Sequence, residues 1–204
     1  MTEPSALRHK LVLASGNPGK LKELSAMLEP LGWSVVPQSD WNISEAVEDG
    51  LTFIENALIK ARHASAETGL PALGDDSGLV VDALNGAPGI YSSRYAGSNA
   101  TDSDNNEKLL QALRGVPEPA RTAHFYCTIA LVRHAGDPAP LISTGKWDGT
   151  ILSAATGAGG FGYDPLFGVP GAGCSSAELP AKIKNQLSHR GQALSGLTEQ
   201  MGSL

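Results

Sequence analysis

The chain has 204 residues, of which 41% are hydrophobic and 18% are charged, and its formal net charge at pH 7 is −6. This length suffices for one large domain or two small lobes that bury roughly two-thirds of the unfolded surface. The acidic balance excludes a nucleic-acid polymer as the expected partner, because binding to a phosphate backbone relies on surplus Lys and Arg.

The cysteine pattern and the absence of long apolar runs predict a cytoplasmic protein. Cys127 and Cys174 have no paired spacing, which is typical of reduced thiols rather than a disulfide framework or zinc site. Residues 1–9 contain no apolar signal segment, and no run of 18 apolar residues occurs in the sequence. We therefore expect neither secretion nor insertion into a membrane.

The first part of the chain shows alternating strand and helix patterns. Residues 10–15 predict a short buried strand, and leucines at 21, 24, 28 and 31 predict an amphipathic helix that Gly32 ends. Residues 33–36 predict a second strand. Thr52 and Glu55 match a capping box that opens a second helix, which runs to about Gly69. Its expected buried face consists of Phe53, Ile54, Ala57, Leu58 and Ala61.

The rest of the chain mixes strands and helices without a strict repeat. Residues 70–84 predict two strand segments joined through Asp75-Asp76-Ser77-Gly78, so that the carboxylates lie at a strand end. The other predicted elements are a loop at 85–100, a helix at 102–113, a strand at 121–134, another ending near 147–149, an irregular stretch at 157–173 and a mostly helical end at 175–202. We expect an α/β protein with a mixed sheet bent around a cleft between two lobes, so that residues 1–204 form one domain built of two lobes.

The segment Ser15-Gly16-Asn17-Pro18-Gly19-Lys20 lies between a strand pattern and a helix pattern. A helix that begins near Gly19 points free amides and a positive dipole end at the loop, and Lys20 adds a full charge, so the segment suits a phosphate group. It is not a Walker A loop, because its glycines are three apart and Leu21 follows the lysine. Simple turn chemistry explains the segment equally well when it is taken alone.

A glycine-rich stretch at 157–162 formally fits the dinucleotide-binding fingerprint. That fingerprint requires a helix starting in the motif, which Asp164-Pro165 and Pro170 do not allow. The glycines instead let the backbone pass close to a ligand or a neighbouring strand. Phe161 and Tyr163 alternate across the chain, so we expect one ring to stack on a ligand and the other to enter the core.

Two further motifs have both a functional and a structural interpretation. The carboxylates of Asp75 and Asp76, with an acid from the 45–49 loop, suit Mg²⁺, which takes one or two carboxylates and fills its other positions with water and phosphate oxygens. An Asx turn explains the isolated Asp-Ser-Gly better. Ser188-His189-Arg190, with Lys184 nearby, presents either a solvated basic helix face or a planar guanidinium aimed at a carbonyl or phosphate.

Taken together, these motifs resemble the inosine/xanthosine triphosphate pyrophosphatases, which remove deaminated purine nucleotides such as dITP, ITP and XTP from the precursor pool. The resemblance covers nearly the whole length and rests on six ordered blocks at 15–20, 50–57, 75–78, 86–95, 159–165 and 188–194. It implies an elongated, two-lobed mixed α/β fold with a central substrate cleft, and a homodimer. It also implies dependence on Mg²⁺ and hydrolysis of a nucleoside triphosphate to the monophosphate and pyrophosphate.

The resemblance also implies residue roles. Residues 15–20 hold phosphates, Asp76 is the metal ligand and catalytic base, and Ser77 touches the substrate. Phe161, Gly162, Tyr163 and Asp164 flank the nucleoside, Lys184 contacts it, and His189 with Arg190 reads the purine six-position oxygen. Glu48 matches an acidic metal-binding position, although the family often has two neighbouring acids where this chain has Val47-Glu48.

Two rival functions are compatible with parts of this pattern. One is a general nucleotide pyrophosphatase with little base preference, and the other is a nucleotide-binding sensor that does not hydrolyse. The presence of Asp75, Asp76 and Lys20 argues against the sensor, because a sensor has no need for the acidic groups of a hydrolytic site.

Overall fold

A computed structural model describes residues 9–202 of the chain. The prediction that the chain has no signal segment concerns residues 1–9, most of which lie outside the described residues. The six strands are β1 (His9–Leu13), β2 (Trp33–Pro37), β3 (Ala72–Val81), β4 (Thr122–Val132), β5 (Leu141–Ile151) and β6 (Phe167–Gly168). The five α-helices are α1 (Pro18–Leu28), α2 (Phe53–Thr68), α3 (Asp102–Ala112), α4 (Ala181–Leu187) and α5 (His189–Met201).

The strands form one mixed sheet in the order β2-β1-β3-β4-β5-β6. Strand β1 pairs in parallel with both β2 and β3, whereas β5 and β6 pair antiparallel. The predicted α/β class with a mixed sheet is therefore confirmed. By compactness the described residues divide into two units: unit 1 comprises 9–76, 128–143 and 196–202, and unit 2 comprises 77–127 and 144–195.

The prediction that residues 70–84 form two strand segments was wrong, because β3 runs without interruption through Asp75-Asp76-Ser77-Gly78. The two carboxylates lie in the middle of this strand rather than at its end. An Asx turn is excluded for the same reason, since an extended backbone cannot bring the Asp side chain back to an amide two residues on. Buried partners, described below, stabilise these acids in the strand.

In unit 1, local capping groups set the ends of the helices. The Asn17 side chain accepts hydrogen bonds from the amides of Gly19 (2.8 Å) and Lys20 (3.2 Å) and so caps α1. Thr52 caps α2 by accepting from the Glu55 amide, as the capping box predicted. Helix α2 ends at Gly69, whose φ of +67° lies in the left-handed region that glycine adopts without strain.

Helix α2 packs closely on β3 in unit 1. A Cβ at Gly74 would lie 2.1 Å from the carbonyl oxygen of Ala57, so only glycine lets the helix come this near. The buried face of α2 consists of Asn56, Ala57, Ala61, Ala64 and Ser65. The expected burial of Ile54 was wrong, since this side chain is 40% exposed.

Unit 2 has its own core, formed by large side chains from strands and from α3. Its fully buried or nearly buried members include Leu79, Leu109, Leu113, Phe125, Trp147, Tyr163 and Phe167. Helix α5 approaches β5 at Gly145, where a Cβ would lie 2.0 Å from the carbonyl oxygen of His189. Within residues 9–202, no helix is long and apolar enough to cross a membrane.

Candidate functional site

The first turn of α1, which follows the loop after β1, brings Lys20 to the first of the two acids on β3. The Lys20 ammonium lies 2.6 Å from Oδ1 of Asp75 and donates to the Asp75 carbonyl oxygen at 3.1 Å. The amides of Gly19 and Lys20 already donate to Asn17. These two amides are therefore not available to bind an anion, and the positive group that segment 15–20 can offer is the ammonium of Lys20.

Consecutive residues of a strand project to opposite faces, and Asp75 and Asp76 accordingly have different partners. Asp75 is fully buried against Lys20, whereas Asp76, 6% exposed, receives Lys60 with its Oδ1 2.6 Å from the ammonium. Lys60 also lies 3.3 Å from Oε2 of Glu48. One ammonium thus holds two carboxylates in unit 1.

Lys60 was not among the site residues predicted from the sequence, although a signal for it was present. Lys60 lies on α2 four residues after Asn56 and four before Ala64, both of which are buried. A charge in line with a buried helix face predicts a buried partner, because an unpaired buried charge is costly. That signal does not say which of the chain's acids is the partner.

The charges around Asp76 oppose one another. Burial raises the pKa of Asp76, while the ammonium groups of Lys60 and Lys20 lower it, and the net direction is upward. Burial lowers the pKa of Lys60, but the attraction of Asp76 and Glu48 outweighs it, so that pKa is raised. Oδ2 of Asp76 is buried and has no hydrogen-bond partner within residues 9–202. It is therefore an acceptor position that the protein itself leaves open.

This acidic group meets the requirements of a hard cation that also binds phosphate. Within residues 9–202, no three His, Cys, Asp or Glu side chains converge on a metal-sized position. Mg²⁺ needs no such cage, because it is held by one or two carboxylates and otherwise by water and phosphate oxygens. Asp76 with its open Oδ2, and Glu48 beside the same lysine, fit that donor set.

In unit 2, the loop at 161–164 is tied to its surroundings through Asp164. The Asp164 carboxylate accepts from the Phe161 amide (2.8 Å) and from Ser176 Oγ (2.5 Å), and lies 2.6 Å from the Lys184 ammonium. Tyr163 is 5% exposed and donates to the Ser92 carbonyl oxygen at 2.8 Å. Tyr163 is thus the ring of this pair that enters the core.

Phe161 remains half-buried and is flanked by two cations. The Lys184 ammonium lies 5.1 Å and the Arg190 guanidinium 5.7 Å from its ring centre, distances at which a cation is attracted to the face of an aromatic ring. A flat apolar surface next to positive groups suits an aromatic ligand that carries electronegative oxygens.

The interpretation of residues 188–190 as a solvated basic helix face is wrong. Ser188, His189 and Arg190 are 5%, 7% and 3% exposed. The His189 ring stacks on Phe125 with centres 4.8 Å apart and planes 15° from parallel, and Arg190 donates to Ser77 Oγ at 2.9 Å. Buried and anchored, these side chains are held in fixed orientations.

The structure therefore brings the predicted residues together in two groups, each within one unit. The group in unit 1 consists of the 15–20 loop, Glu48, Lys60, Asp75 and Asp76, and that in unit 2 consists of Ser77, residues 161–164, Lys184, His189 and Arg190. The first combines acids with lysines, as in sites for metals and phosphates, and the second combines an aromatic ring with fixed cationic donors. The roles of the individual residues stay predictions.

These two groups of residues in an α/β fold are typical of proteins that bind nucleotides. Comparison with known proteins identifies the family. The family model described as Ham1 family matches residues 11–200. A protein of Vibrio parahaemolyticus named dITP/XTP pyrophosphatase is 58% identical over 194 residues, which is 95% of this chain and 97% of that protein.

Solved structures agree with this result. The structure of a Ham1 protein from Coxiella burnetii has a TM-score of 0.88 and 49% identity, covering 96% of this chain and 100% of the other. A nucleoside-triphosphatase, or dITP/XTP pyrophosphatase, from Mycobacterium abscessus has a TM-score of 0.74 and 43% identity, covering 92% and 97%. The chain belongs to the Ham1 family.

Proposed function

We propose that this chain hydrolyses deaminated purine nucleoside triphosphates (dITP/ITP and dXTP/XTP) to the nucleoside monophosphate and pyrophosphate, and so cleanses the nucleotide pool. The observation that carries the proposal is the 58% identity, over 95% of the chain, to a protein named dITP/XTP pyrophosphatase. The buried, lysine-held acids of unit 1 and the ring with its cationic donors in unit 2 support it.

In the proposed reaction, water attacks the α-phosphorus and the bond from that phosphorus to the bridging oxygen of pyrophosphate breaks. Asp76 orients the water and takes its proton, a role that suits a carboxylate with a raised pKa and an open Oδ2. Lys20 offsets part of the negative charge of the phosphate chain, so that a fixed positive group meets the charge that develops on the leaving oxygen.

We also propose that Mg²⁺ is the cofactor, held by Asp76 and Glu48. When bound, it supplies charge neutralisation of phosphate oxygens and a lower pKa for the attacking water. Of the acids at 45–49, Glu48 is favoured over Asp49 because Glu48 shares Lys60 with Asp76. In the protein without bound Mg²⁺, the ammonium of Lys60 offsets the negative charge of Asp76 and Glu48.

Selection for the purine base is assigned to unit 2. The face of Phe161 receives the base, and donors from His189 and Arg190 pair with the carbonyl oxygen at the purine six-position. Adenine presents an amino group there, which leaves a buried donor unpaired at a cost of about 1 to 3 kcal/mol. Ser77 accepts a hydrogen bond from Arg190 and so helps to hold the guanidinium in place.

The test combines product identification with isotope labelling. The purified protein is incubated with ITP, XTP, GTP or ATP, with and without Mg²⁺, in ¹⁸O-labelled water, and the products are identified by phosphorus NMR. We expect IMP and pyrophosphate from ITP, with the label in IMP, dependence on Mg²⁺, and much slower turnover of ATP. IDP with phosphate, or label in pyrophosphate, would overturn the reaction, and equal rates on ATP would favour the general pyrophosphatase.

The proposed base is tested by Asp76→Asn, which should abolish turnover with the fold intact. Asp82→Asn, an exposed position directly after β3, is the matched control and should keep wild-type turnover. Circular dichroism and thermal unfolding of both variants separate loss of chemistry from loss of fold. An active Asp76→Asn protein would remove Asp76 from both of its proposed roles.

We further propose that the protein acts as a homodimer in the cytoplasm. The dimer is what the resemblance to the inosine/xanthosine triphosphate pyrophosphatases implies. Within the described part of the chain Cys127 and Cys174 are not joined in a disulfide, which is in keeping with a reducing compartment. Light scattering of the purified protein measures its mass, and a monomer at micromolar concentration would exclude the dimer.

A further inference from the structure

Helix α3 holds the backbone of the loop that presents Phe161. The Gly162 amide donates to Oδ2 of Asp102 at 2.7 Å, and the Gly162 carbonyl oxygen accepts from Nδ2 of Asn106 at 2.9 Å. We propose that Asp102 and Asn106 are positioning residues for nucleobase recognition, which act by fixing the orientation of Phe161. This inference rests on the proposed function, since it concerns how the same site selects its base.

The hydrogen bonds constrain the peptide groups on both sides of Phe161. The Phe161 amide is held by Asp164 at 2.8 Å, and the next amide, that of Gly162, is held by Asp102. Because a peptide group is planar, fixing the groups before and after a residue fixes its two backbone dihedrals and therefore the direction of its Cβ bond. The ring of Phe161 consequently points where Asp164 and Asp102 direct it.

Asn106 fixes the following peptide group, at a residue with an uncommon conformation. Gly162 has a φ of +61°, and apart from its own atoms and its two chain neighbours no atom of residues 9–202 lies within 4 Å of the position that a Cβ would occupy. Glycine is thus favoured here by backbone conformation rather than by lack of space. A flexible residue in this position needs external restraint if the ring beside it is to stay in one place, and the Asn106 amide supplies it.

Helix α3 is a rigid support for both contacts. Asp102 and Asn106 are four residues apart and therefore lie on the same face of the helix. Thr101 and Asp104 form a capping box at its start, and Leu109 is fully buried near its end. Displacement of the loop therefore requires displacement of a capped and packed helix.

The two contacts can be removed by substitutions that leave the core intact. Asn106→Leu deletes the donor to Gly162 and also removes the buried Oδ1, which has no partner within residues 9–202. Loss of an unsatisfied atom offsets loss of a hydrogen bond, so the melting temperature should change little. Asp102→Ala removes the acceptor, and Asp102→Asn retains an acceptor oxygen and should restore the wild-type behaviour.

The readout separates base binding from phosphate binding. A net hydrogen-bond contribution corresponds to about a two- to tenfold change in an equilibrium constant. We expect Asn106→Leu and Asp102→Ala to raise the KM for ITP and the inhibition constant of IMP by this factor, and to leave the inhibition constant of pyrophosphate unchanged. Asp104→Ala, which weakens the same helix without contacting the loop, is the control and should leave all three constants unchanged.

A double-mutant cycle tests whether these residues act through Phe161. In a Phe161→Ala background, Asn106→Leu should have little further effect on the inhibition constant of IMP, because the ring it positions is gone. Equal effects in both backgrounds, or parallel weakening of IMP and pyrophosphate, would overturn the inference. If the wild-type protein does not hydrolyse ITP, the proposed function is wrong. If the wild type hydrolyses ITP and the variants have unchanged constants, the proposed function stands and this inference is wrong.

Discussion

Gly145→Ala tests whether close packing of α5 on β5 sets the position of His189 and Arg190. The new Cβ would lie 2.0 Å from the carbonyl oxygen of His189, 2.7 Å from the Ala193 amide nitrogen and 2.9 Å from Cβ of Gln192. All three atoms belong to the helix, and no side-chain rotation can move them, because two are backbone atoms and the third is a Cβ. The helix must therefore shift away from the strand by roughly 1 Å or more, because ordinary contacts begin near 3.4 Å.

Two consequences of this shift are measurable. Overpacking of a tight core costs about 1 to 3 kcal/mol, and each kcal/mol lowers the melting temperature of a protein of this size by about 2 to 4 °C. Displacement of binding groups by about 1 Å costs about 10²-fold in turnover. We therefore expect a melting temperature lower by roughly 2 to 12 °C and a kcat/KM for ITP lower by about two orders of magnitude.

The control is Gly136→Ala, the same substitution at an open position. Among the described residues other than its two chain neighbours, its new Cβ would meet only His134 Nδ1, at 3.9 Å. Alanine there should be neutral or should stabilise the protein by about 0.4 to 1 kcal/mol, because it lowers the conformational entropy of the unfolded chain. Thermal unfolding and ITP kinetics are measured on both variants. A Gly145→Ala protein with wild-type melting and wild-type kinetics would refute the argument that the helix position depends on this glycine.

Three further substitutions have defined outcomes. Lys60→Met leaves the Asp76 carboxylate buried without its nearest cation, which should destabilise the protein by about 3 to 5 kcal/mol, and Mg²⁺ without nucleotide should restore more of the melting temperature in the variant than in the wild type. Arg133 holds the pKa of Asp137 well below its usual range, so the pair stabilises the fold when Asp137 is ionised. Asp137→Asn should therefore lower the melting temperature at pH 7. The difference in melting temperature between wild type and variant should shrink as the pH falls below about 4. Thr52→Ala removes the cap of α2 and should cost about 1 kcal/mol in urea unfolding.

Each of these outcomes has a result that would contradict it. Lys22→Met, at an exposed position of α1, controls for loss of a lysine. Equal gains in melting temperature from Mg²⁺ in both lysine variants would mean that Mg²⁺ does not bind at the position of Lys60. A stability difference between wild type and Asp137→Asn that is constant with pH would show that the carboxylate charge is irrelevant. A Thr52→Ala protein with an unchanged unfolding midpoint would mean that Glu55, which accepts from the Leu51 amide, caps the helix alone.

Local sequence patterns predicted the elements well because they encode short-range interactions. The capping box at Thr52, the spacing of the buried Leu24 and Leu28 in α1 and the glycine ends of helices involve residues three or four positions apart, which a linear sequence displays directly. Leu31, the last leucine of that pattern, lies beyond α1 and is exposed. The same reasoning misjudged β3, since Asp-Asp-Ser-Gly has the composition of a turn. Burial against lysines from elsewhere in the chain outweighed that local preference.

The sequence by itself determined the class of fold, most element positions and, through six ordered motifs, the family to which the chain belongs. Only the tertiary structure decided which charges meet. Lys20 contacts Asp75 across 55 positions, Lys60 reaches Asp76 across 16, and Gly162 is held by Asp102 across 60. Such partners are chosen by strand order and by the packing of helices on the sheet, because contacts at these separations leave no periodic trace along the chain.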